Sequence, residues 1–145
     1  MKHKLNIVDF FAGSRSWGKV ADKLGCNVFS IDLKPFEGID LVIDFEDMTF
    51  DMIPFQPDVL LFGIPCTSYS LAAISHHRNT DRSPKTEFAE KSDRMAKKMI
   101  EFINHFNCTY FIENPRATLR KMEFMKDLPR TTVTYCSYNN DKRMK

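Results

Sequence analysis

The sequence has few cysteines, little net charge and no long apolar run, and each of these features excludes a class of protein. Its four cysteines are widely spaced along 145 residues and form no Cys-x-x-Cys pair. Neither a zinc site nor a disulfide framework is therefore indicated. No apolar run approaches the roughly eighteen residues of a membrane span, and the N-terminus has no signal-peptide pattern. We therefore expect a soluble protein of a reducing, cytoplasmic compartment that does not contact a membrane.

The formal net charge of +2 is too small by itself to mark a nucleic-acid-binding protein. Basic residues nevertheless cluster within residues 76–85, 116–121 and 142–145. Each cluster also has an ordinary interpretation as a solvated face. The chain is 43% hydrophobic and 12% aromatic, and it contains no repeat, linker or low-complexity stretch. Residues 1–145 are therefore predicted to form one globular domain.

The most distinctive stretch is residues 58–70, an apolar run that stops at a Pro-Cys pair. Such a run predicts a strand buried on both faces of a parallel sheet, ended by Gly63 and Pro65. Cys66 then lies just past the carboxyl end of a strand, where α/β sheets gather ligands and reactive groups. A thiol in that place suits nucleophilic chemistry. The alternative is that Cys66 is a small buried hydrophobe, which is the commoner role of a single cysteine.

The first part of the chain has the outline of a nucleotide-binding unit. Residues 5–11 predict a strand that closes on a turn at Gly13, and a helix capped by Ser16 follows. Residues 26–33 predict the next strand, and its Asp32 follows the turn by about twenty residues. Nucleotide-binding units have an acidic residue at this spacing, where it binds the ribose hydroxyls. An ordinary βαβ crossover explains the same pattern, because its turn also needs glycine.

The remaining elements complete an α/β order. The sequence predicts a strand over residues 39–45, a long functional or mobile loop over 71–85, and a helix from Ser83-Pro84 with an inward stripe that includes Phe88, Met95, Met99 and Ile103. It then predicts a strand over 109–112, a helix over 117–126 and a strand over 131–135. We expect a doubly wound, mostly parallel sheet with its functional groups along one edge. The groups at the strand ends are Gly13, Asp32, Asp44, Cys66 and Glu113.

Four motifs, in this order, resemble those of the cytosine-5 DNA methyltransferases, and most closely their short phage-type branch. They are Phe11-Ala12-Gly13, Asp32, the Gly-Ile-Pro-Cys-Thr-Ser-Tyr-Ser stretch of residues 63–70, and Ile112-Glu113-Asn114-Pro115. The likeness continues through residues 72–78 and 135–138 and covers nearly the whole chain. It implies a Rossmann-like class I fold, S-adenosylmethionine as cofactor, and methyl transfer to carbon 5 of cytosine in DNA. A bacterial or phage-infected cell is the setting that it implies.

The resemblance also implies a role for each matching residue. Cys66 would attack ring carbon 6, and Glu113 would hold ring nitrogen 3 and the exocyclic amine. Arg143, together with Ser70, would hold the target nucleotide. The residues implied to bind the cofactor are Phe11, Gly13, Asp32, Asp44, Phe45 and Pro65. Those implied to contact DNA are Ser70, His76, His77, Arg78 and Arg116.

Several departures from the family accompany this likeness, and one is Thr67, which stands where the family usually has Gln. Arg15 replaces the second glycine of the turn, so its side chain is expected to point away from the cofactor. The chain has no separate target-recognition domain and looks truncated, and an uncompleted sheet edge would invite a second copy or a partner chain. Two alternatives to an active DNA methyltransferase thus stay open. One is an inactive or partner-dependent remnant that binds cofactor or DNA, and the other is an enzyme acting on RNA or a free nucleotide.

Overall fold

A computed structural model describes residues 3–134, and its centre is a five-stranded sheet in which all paired strands are parallel. The α/β class and the parallel sheet predicted from the sequence are confirmed, and the strand order β3-β2-β1-β4-β5 is compatible with a Rossmann-like fold. The strands are β1 (Asn6–Phe10), β2 (Asn27–Asp32), β3 (Leu41–Val42), β4 (Val59–Phe62) and β5 (Thr109–Ile112).

Two helices connect the strands on opposite faces of the sheet. Helix α1 (Ser16–Lys23) joins β1 to β2, and helix α3 (Glu87–Phe106) joins β4 to β5. The connection from β1 to β2 runs toward one edge of the sheet, and the connection from β4 to β5 runs toward the other edge. Because such crossovers are right-handed, the two helices lie on opposite faces of the sheet. A four-residue α-helix, α2 (Ile74–His77), lies between β4 and α3. Residues 3–134 also contain five 3-10 helices: Phe45–Asp47, Phe50–Met52, Thr67–Tyr69, Leu119–Lys121 and Glu123–Met125.

The core lies between the sheet and α3 and is rich in phenylalanine. The rings of Phe10 on β1 and Phe62 on β4 stack with centroids 4.6 Å apart, and both are almost fully buried. Phe102 of α3 meets the Phe10 ring edge-on at 5.5 Å. Each such ring stabilises the fold by about 2–3 kcal/mol through burial alone. This packing fixes the central strands and the strand ends that carry the site.

Helix α3 has clear signals at both ends. The Thr86 hydroxyl accepts a hydrogen bond from the Ala89 N–H at 3.2 Å, and Asn107 ends the helix in a left-handed conformation with φ 46°. The predicted apolar stripe is confirmed for Met95, Met99 and Ile103, which are buried. Phe88 was wrongly placed in that stripe, because it is 47% exposed. The helix also begins at Glu87, later than predicted.

Other predicted elements need correction. The strand predicted over residues 39–45 is reduced to β3, because the Asp44 carboxylate accepts a hydrogen bond from Glu46 N–H and starts a 3-10 helix. The helix predicted over 117–126 is two 3-10 helices separated by Met122, whose backbone is extended. The long loop predicted over 71–85 contains α2. Residues 131–134 form no strand, and the rest of the strand predicted there lies outside the described residues.

Candidate active site

The functional residues predicted at strand ends do share one edge of the sheet. Because all the strands run parallel, Phe11 after β1, Asp32 at the end of β2, Gly63 after β4 and Glu113 after β5 lie at their carboxyl ends. The strand order reverses between β1 and β4, and this switch point is where open α/β sheets bind ligands. The edge therefore has both the position and the residues of a ligand site.

A cleft of about 280 Å³ opens at this switch point. It combines apolar rings with two carboxylates, and it brings together two predicted site residues, the turn residue Phe11 and the acid Glu113. Cys66 follows three residues after Gly63, which forms part of the cleft wall. The full lining consists of Asp9, Phe11, Ala12, Ser16, Trp17, Gly63 and Glu113.

Asp32 holds the turn that borders the cleft. One of its carboxylate oxygens accepts a hydrogen bond from Gly13 N–H at 2.8 Å, and the other accepts one from Lys34 N–H at 2.9 Å. Gly13 has φ 52°, a left-handed conformation that glycine adopts at little cost. A carboxylate has about four acceptor positions, so Asp32 keeps capacity for a ligand's hydroxyl groups while it orders the turn.

The Arg15 side chain points away from the cleft, as expected from its place in the turn. Its backbone has φ 59° and caps α1, so the predicted cap, Ser16, is instead the first helical residue. The guanidinium donates to the Ser30 hydroxyl at 2.8 Å and to the Asp22 carboxylate at 2.9 Å. It also covers Gly18, which has an Arg15 nitrogen 3.1 Å from where a Cβ would be. Arg15 thus ties the turn to β2 and α1.

Asp9 is a buried carboxylate that the sequence analysis missed. It is 2% exposed, it lines the cleft, and its Oδ2 atom has no hydrogen-bond partner among the described residues. Burial raises the pKa of this carboxyl from 3.8 to about 6, against the opposing effect of the Gly18 N–H. Few buried polar atoms go unpaired in native proteins, so Asp9 marks a place where a ligand can supply the missing partner.

Cys66 lies at the start of a tightly held segment. It is a free, partly exposed cysteine, and its carbonyl accepts a hydrogen bond from Tyr69 N–H at 3.0 Å. Ser68 and Tyr69, by contrast, are completely buried. Cys66 is therefore only partly buried, which argues against its interpretation as a small buried hydrophobe, and it is followed closely by two buried residues.

The Cys66 and Glu113 segments are joined across adjacent strands. Glu113 N–H donates to the carbonyl of Phe62 at 2.9 Å, which extends the β4–β5 pairing by one residue. The Asn114 side-chain amide donates to the Ile64 carbonyl at 3.1 Å, two residues before Cys66. Glu113 itself is exposed. The backbone segments that carry a thiol and a carboxylate thus lie side by side at neighbouring strand ends.

Asp44 and Phe45 are tied into the structure rather than open. Lys91 of α3 forms an ion pair with Asp44, and this hydrogen bond holds the pKa of the Asp44 carboxyl below its usual value. The Phe45 ring is buried, 5.0 Å from the Phe11 ring and 5.5 Å from the Phe10 ring. Phe45 as a whole is 5% exposed, so its ring is part of the core. Pro65, the remaining predicted cofactor residue, is exposed.

The predicted DNA contacts divide into available and unavailable side chains. His76 and Arg116 are exposed, and Ser70 and His77 are half-buried. Arg78 is 3% exposed and its guanidinium pairs with Asp93, so the side chain is already engaged within the protein, and its role as a DNA contact stays a prediction. An open groove of about 760 Å³ follows α2 and is lined by residues between Ile74 and Lys85. Arg143 lies outside the described residues.

Three of the residues that sequence reasoning missed had a visible signal. Asp9 is a charged residue inside an apolar strand, and Asp93 lies on the apolar face of α3, four residues after the buried Ala89. An acid in a buried stripe needs a partner or a ligand. Trp17, an aromatic residue four positions after Gly13 of the turn, lines the cleft.

Comparison with known proteins gave no match to a protein-family model and no significant match to a curated protein. Within residues 3–134, no helix combines the length and the apolar character that crossing a membrane requires. In that same part of the chain, no three His, Cys, Asp or Glu side chains are grouped so that they could hold a metal ion.

Proposed function

We propose that this chain is a DNA cytosine-5-methyltransferase that uses S-adenosylmethionine and forms a transient bond between Cys66 and its target base. The observation that carries the proposal is a thiol and a carboxylate on adjacent strand ends. Cys66 follows β4, Glu113 follows β5, and the Asn114–Ile64 hydrogen bond holds the two segments side by side. The motif order in the sequence, which resembles that enzyme family, gives these residues their roles.

The two side chains divide the chemistry. Carbon 5 of cytosine is a poor nucleophile, and addition of the Cys66 thiolate to carbon 6 converts the ring into an enamine with an electron-rich carbon 5. Glu113, acting as an acid at ring nitrogen 3, neutralises the charge that this addition places on the ring. Once carbon 5 carries the methyl group, loss of its proton expels the thiolate and restores the aromatic ring.

S-adenosylmethionine, when bound, supplies a methyl group on a positively charged sulfur. The residues of the cleft fit such a molecule, because the unpaired, buried oxygen of Asp9 suits a cationic or hydrogen-bond-donating group. Asp32, which holds the turn at the border of the cleft, has acceptor capacity for hydroxyl groups, and Phe11 and Trp17 in the cleft offer apolar surface. Asp44 likewise has acceptor positions beyond those that Lys91 and the Glu46 N–H use.

The segments that follow the two reactive residues support a nucleic-acid substrate. His76 and Arg116 are exposed there, and the groove after α2 is bordered by Arg82 and Lys85. Extruding a base from the duplex costs on the order of a few kcal/mol. Contacts from basic side chains to phosphates offset that cost and position the duplex without reading its sequence.

Covalent trapping tests the proposal without knowledge of the recognition sequence. The probe is duplex DNA of mixed sequence in which every cytosine of one strand is 5-fluorocytosine, incubated with the full chain and S-adenosylmethionine. Fluorine cannot leave carbon 5 as a proton does, so the bond from Cys66 to carbon 6 persists and the complex survives denaturing electrophoresis. We expect a shifted band that needs the cofactor and maps to the Cys66 peptide by mass spectrometry.

Two variants make the trapping experiment specific. Cys66→Ser should abolish the shifted band while cofactor affinity, measured by calorimetric titration, stays within a few-fold. Cys26→Ser changes another free, partly exposed cysteine and should leave the band unchanged. A band that survives in Cys66→Ser, or that forms without cofactor, would refute the assignment of Cys66. Trapping on fluorinated RNA instead of DNA would favour the RNA alternative.

A second candidate function is a cofactor- or DNA-binding module that needs a partner chain for turnover. It is favoured by β5, which has a neighbouring strand on only one side within residues 3–134 and carries Phe111, 58% exposed. Such an edge can pair with a strand from a second copy or another protein. Cofactor binding by calorimetry without trapping, in a chain shown to be folded, would select this candidate.

A further inference from the structure

A buried hydrogen-bonded cluster joins the Cys66 segment to α3. It consists of Ser68, Tyr69, Arg78 and Asp93, which we name the clamp. All four residues are buried, although two of them carry formal charges. Burying a charge is expensive unless it is paired and fully hydrogen-bonded. The clamp therefore needs an explanation beyond the filling of space.

Arg78 is the centre of the clamp and uses all five of its N–H groups. Two go to the Asp93 carboxylate, with donor–acceptor distances of 2.7 and 3.1 Å. Two go to the Ser68 carbonyl and hydroxyl at 2.9 and 3.3 Å, and one goes to the Arg82 carbonyl at 3.1 Å. The guanidinium also lies 4.4 Å from the centre of the Tyr69 ring. No other residue type can make this set, because lysine has only three donors and no planar fork.

Tyr69 completes the clamp and transmits it to Cys66. Its hydroxyl donates to Asp93 at 2.8 Å, its backbone N–H donates to the Cys66 carbonyl at 3.0 Å, and its carbonyl accepts from Thr118 N–H at 3.1 Å. Burial and the bond to Asp93 raise the pKa of the Tyr69 hydroxyl, so it remains a donor at neutral pH. Tyr69, three residues after Cys66, is thus held by hydrogen bonds at its hydroxyl, its backbone N–H and its carbonyl.

We propose that Arg78, Asp93 and Tyr69 are positioning residues that hold the Cys66 loop, residues 63–70, in its reactive geometry. The proposal rests on the function proposed above, because it assigns the clamp to the attack of Cys66 on the base. None of the three residues touches the thiol. They act through the backbone of Ser68 and Tyr69, so that the nucleophile is placed by a rigid support instead of by its own flexible loop.

Hydrogen–deuterium exchange and steady-state kinetics together test the proposal. In Arg78→Lys, we expect amide exchange in peptides covering residues 64–72 to rise at least tenfold. In the same variant, kcat should fall at least tenfold and KM for S-adenosylmethionine should stay within about twofold. Tyr69→Phe removes only one hydroxyl and should show smaller changes in the same directions, and it serves if Arg78→Lys does not fold.

Ile7→Ala is the matched control for lost stability. Ile7 is buried on β1, on the sheet face opposite the phenylalanine core, and it takes no part in the clamp. In this control variant, the amide exchange rate in residues 64–72 should rise only by the factor that the loss in free energy of unfolding accounts for. The positioning role is refuted if, at equal stability, amide exchange of the loop is no faster in the clamp variants than in Ile7→Ala. It is also refuted if exchange of the loop rises without any fall in kcat.

The two measurements separate this proposal from the proposed function. Exchange reports on the clamp even in a protein that transfers no methyl group. Faster loop exchange in the clamp variants, with no trapping by the unsubstituted chain, would overturn the methyltransferase proposal and the catalytic positioning built on it. If the unsubstituted chain is trapped but the clamp variants show the same exchange and kinetics as Ile7→Ala, the methyltransferase proposal stands and the positioning role of the clamp is refuted.

Discussion

Replacing Asp9 by asparagine should change how stability depends on pH. The pKa of this carboxyl is 3.8 in an unfolded chain and about 6 in the folded protein, chiefly because the group is buried. A pKa raised by folding means that the folded state holds the proton more tightly. The resulting stabilisation is complete below pH 3.8 and is lost as pH rises through about 6.

The size of the effect follows from the gap between the two pKa values. At roughly 1.4 kcal/mol for each tenfold difference in proton affinity, Asp9 contributes about 3 kcal/mol at low pH and nothing near neutrality. About 2 kcal/mol of that change falls between pH 4.5 and 7.5. The asparagine amide does not titrate, so the free energy of unfolding of Asp9→Asn minus that of the original protein should rise by that amount over this range.

Urea unfolding at several pH values measures this difference directly. Comparing two proteins removes the contributions of other acids, such as Asp44 and Asp58, whose pKa values are lowered and whose effects have the opposite sign. Asp58→Asn is the control: its difference should be smaller, opposite in sign and concentrated at the acid end. A difference for Asp9→Asn that stays flat from pH 4.5 to 7.5 would refute the description of Asp9 as a buried, unpaired carboxyl.

Two further variants test the site itself. Glu113→Gln should lower kcat at least a hundredfold with unchanged melting temperature, because the side chain is exposed; kinetics and thermal unfolding measure both, and near-normal turnover would contradict its role as the acid. Asp32→Ala should weaken S-adenosylmethionine binding at least tenfold and cost about 1–3 kcal/mol of stability for the backbone groups that it leaves unpaired. Asp40→Ala, which loses a similar bond to Ser30 N–H, should leave that affinity unchanged.

The sequence predicted well those features that depend on local pattern. The strand predicted over residues 109–112 matches β5, and the strand before Cys66 matches β4 closely, because short apolar runs bounded by Gly or Pro leave few alternatives. Parallel pairing then brings Phe11, Cys66 and Glu113 to one edge without any need for detailed packing.

What the sequence did not predict depends on distant contacts. Arg78 belongs to a run of basic residues that suggests a surface, but its partner Asp93 lies fifteen residues further along the chain. Residues 117–126 have an apolar spacing typical of a helix, yet Thr118 N–H bonds to the Tyr69 carbonyl and Met122 is extended. In both cases a hydrogen bond to the Cys66 loop, from Arg78 to Ser68 and from Thr118 to Tyr69, outweighs the structure that the local sequence pattern favours.

The arginine in the first turn has a consequence for how related sequences can diverge. A Cβ at Gly18 would lie 3.1 Å from an Arg15 nitrogen, and one at Gly38 would lie 3.0 Å from the Arg15 Cδ. Glycine at position 15 would vacate the space beside position 18, whereas with Arg15 present a side chain at position 18 would require the guanidinium group to shift by a few tenths of an ångström. Gly38 has φ 80° in addition, which restricts it further. Positions 15 and 18 should therefore change together in evolution, as a single inherited choice between two ways of building the same turn, whereas position 38 should stay glycine.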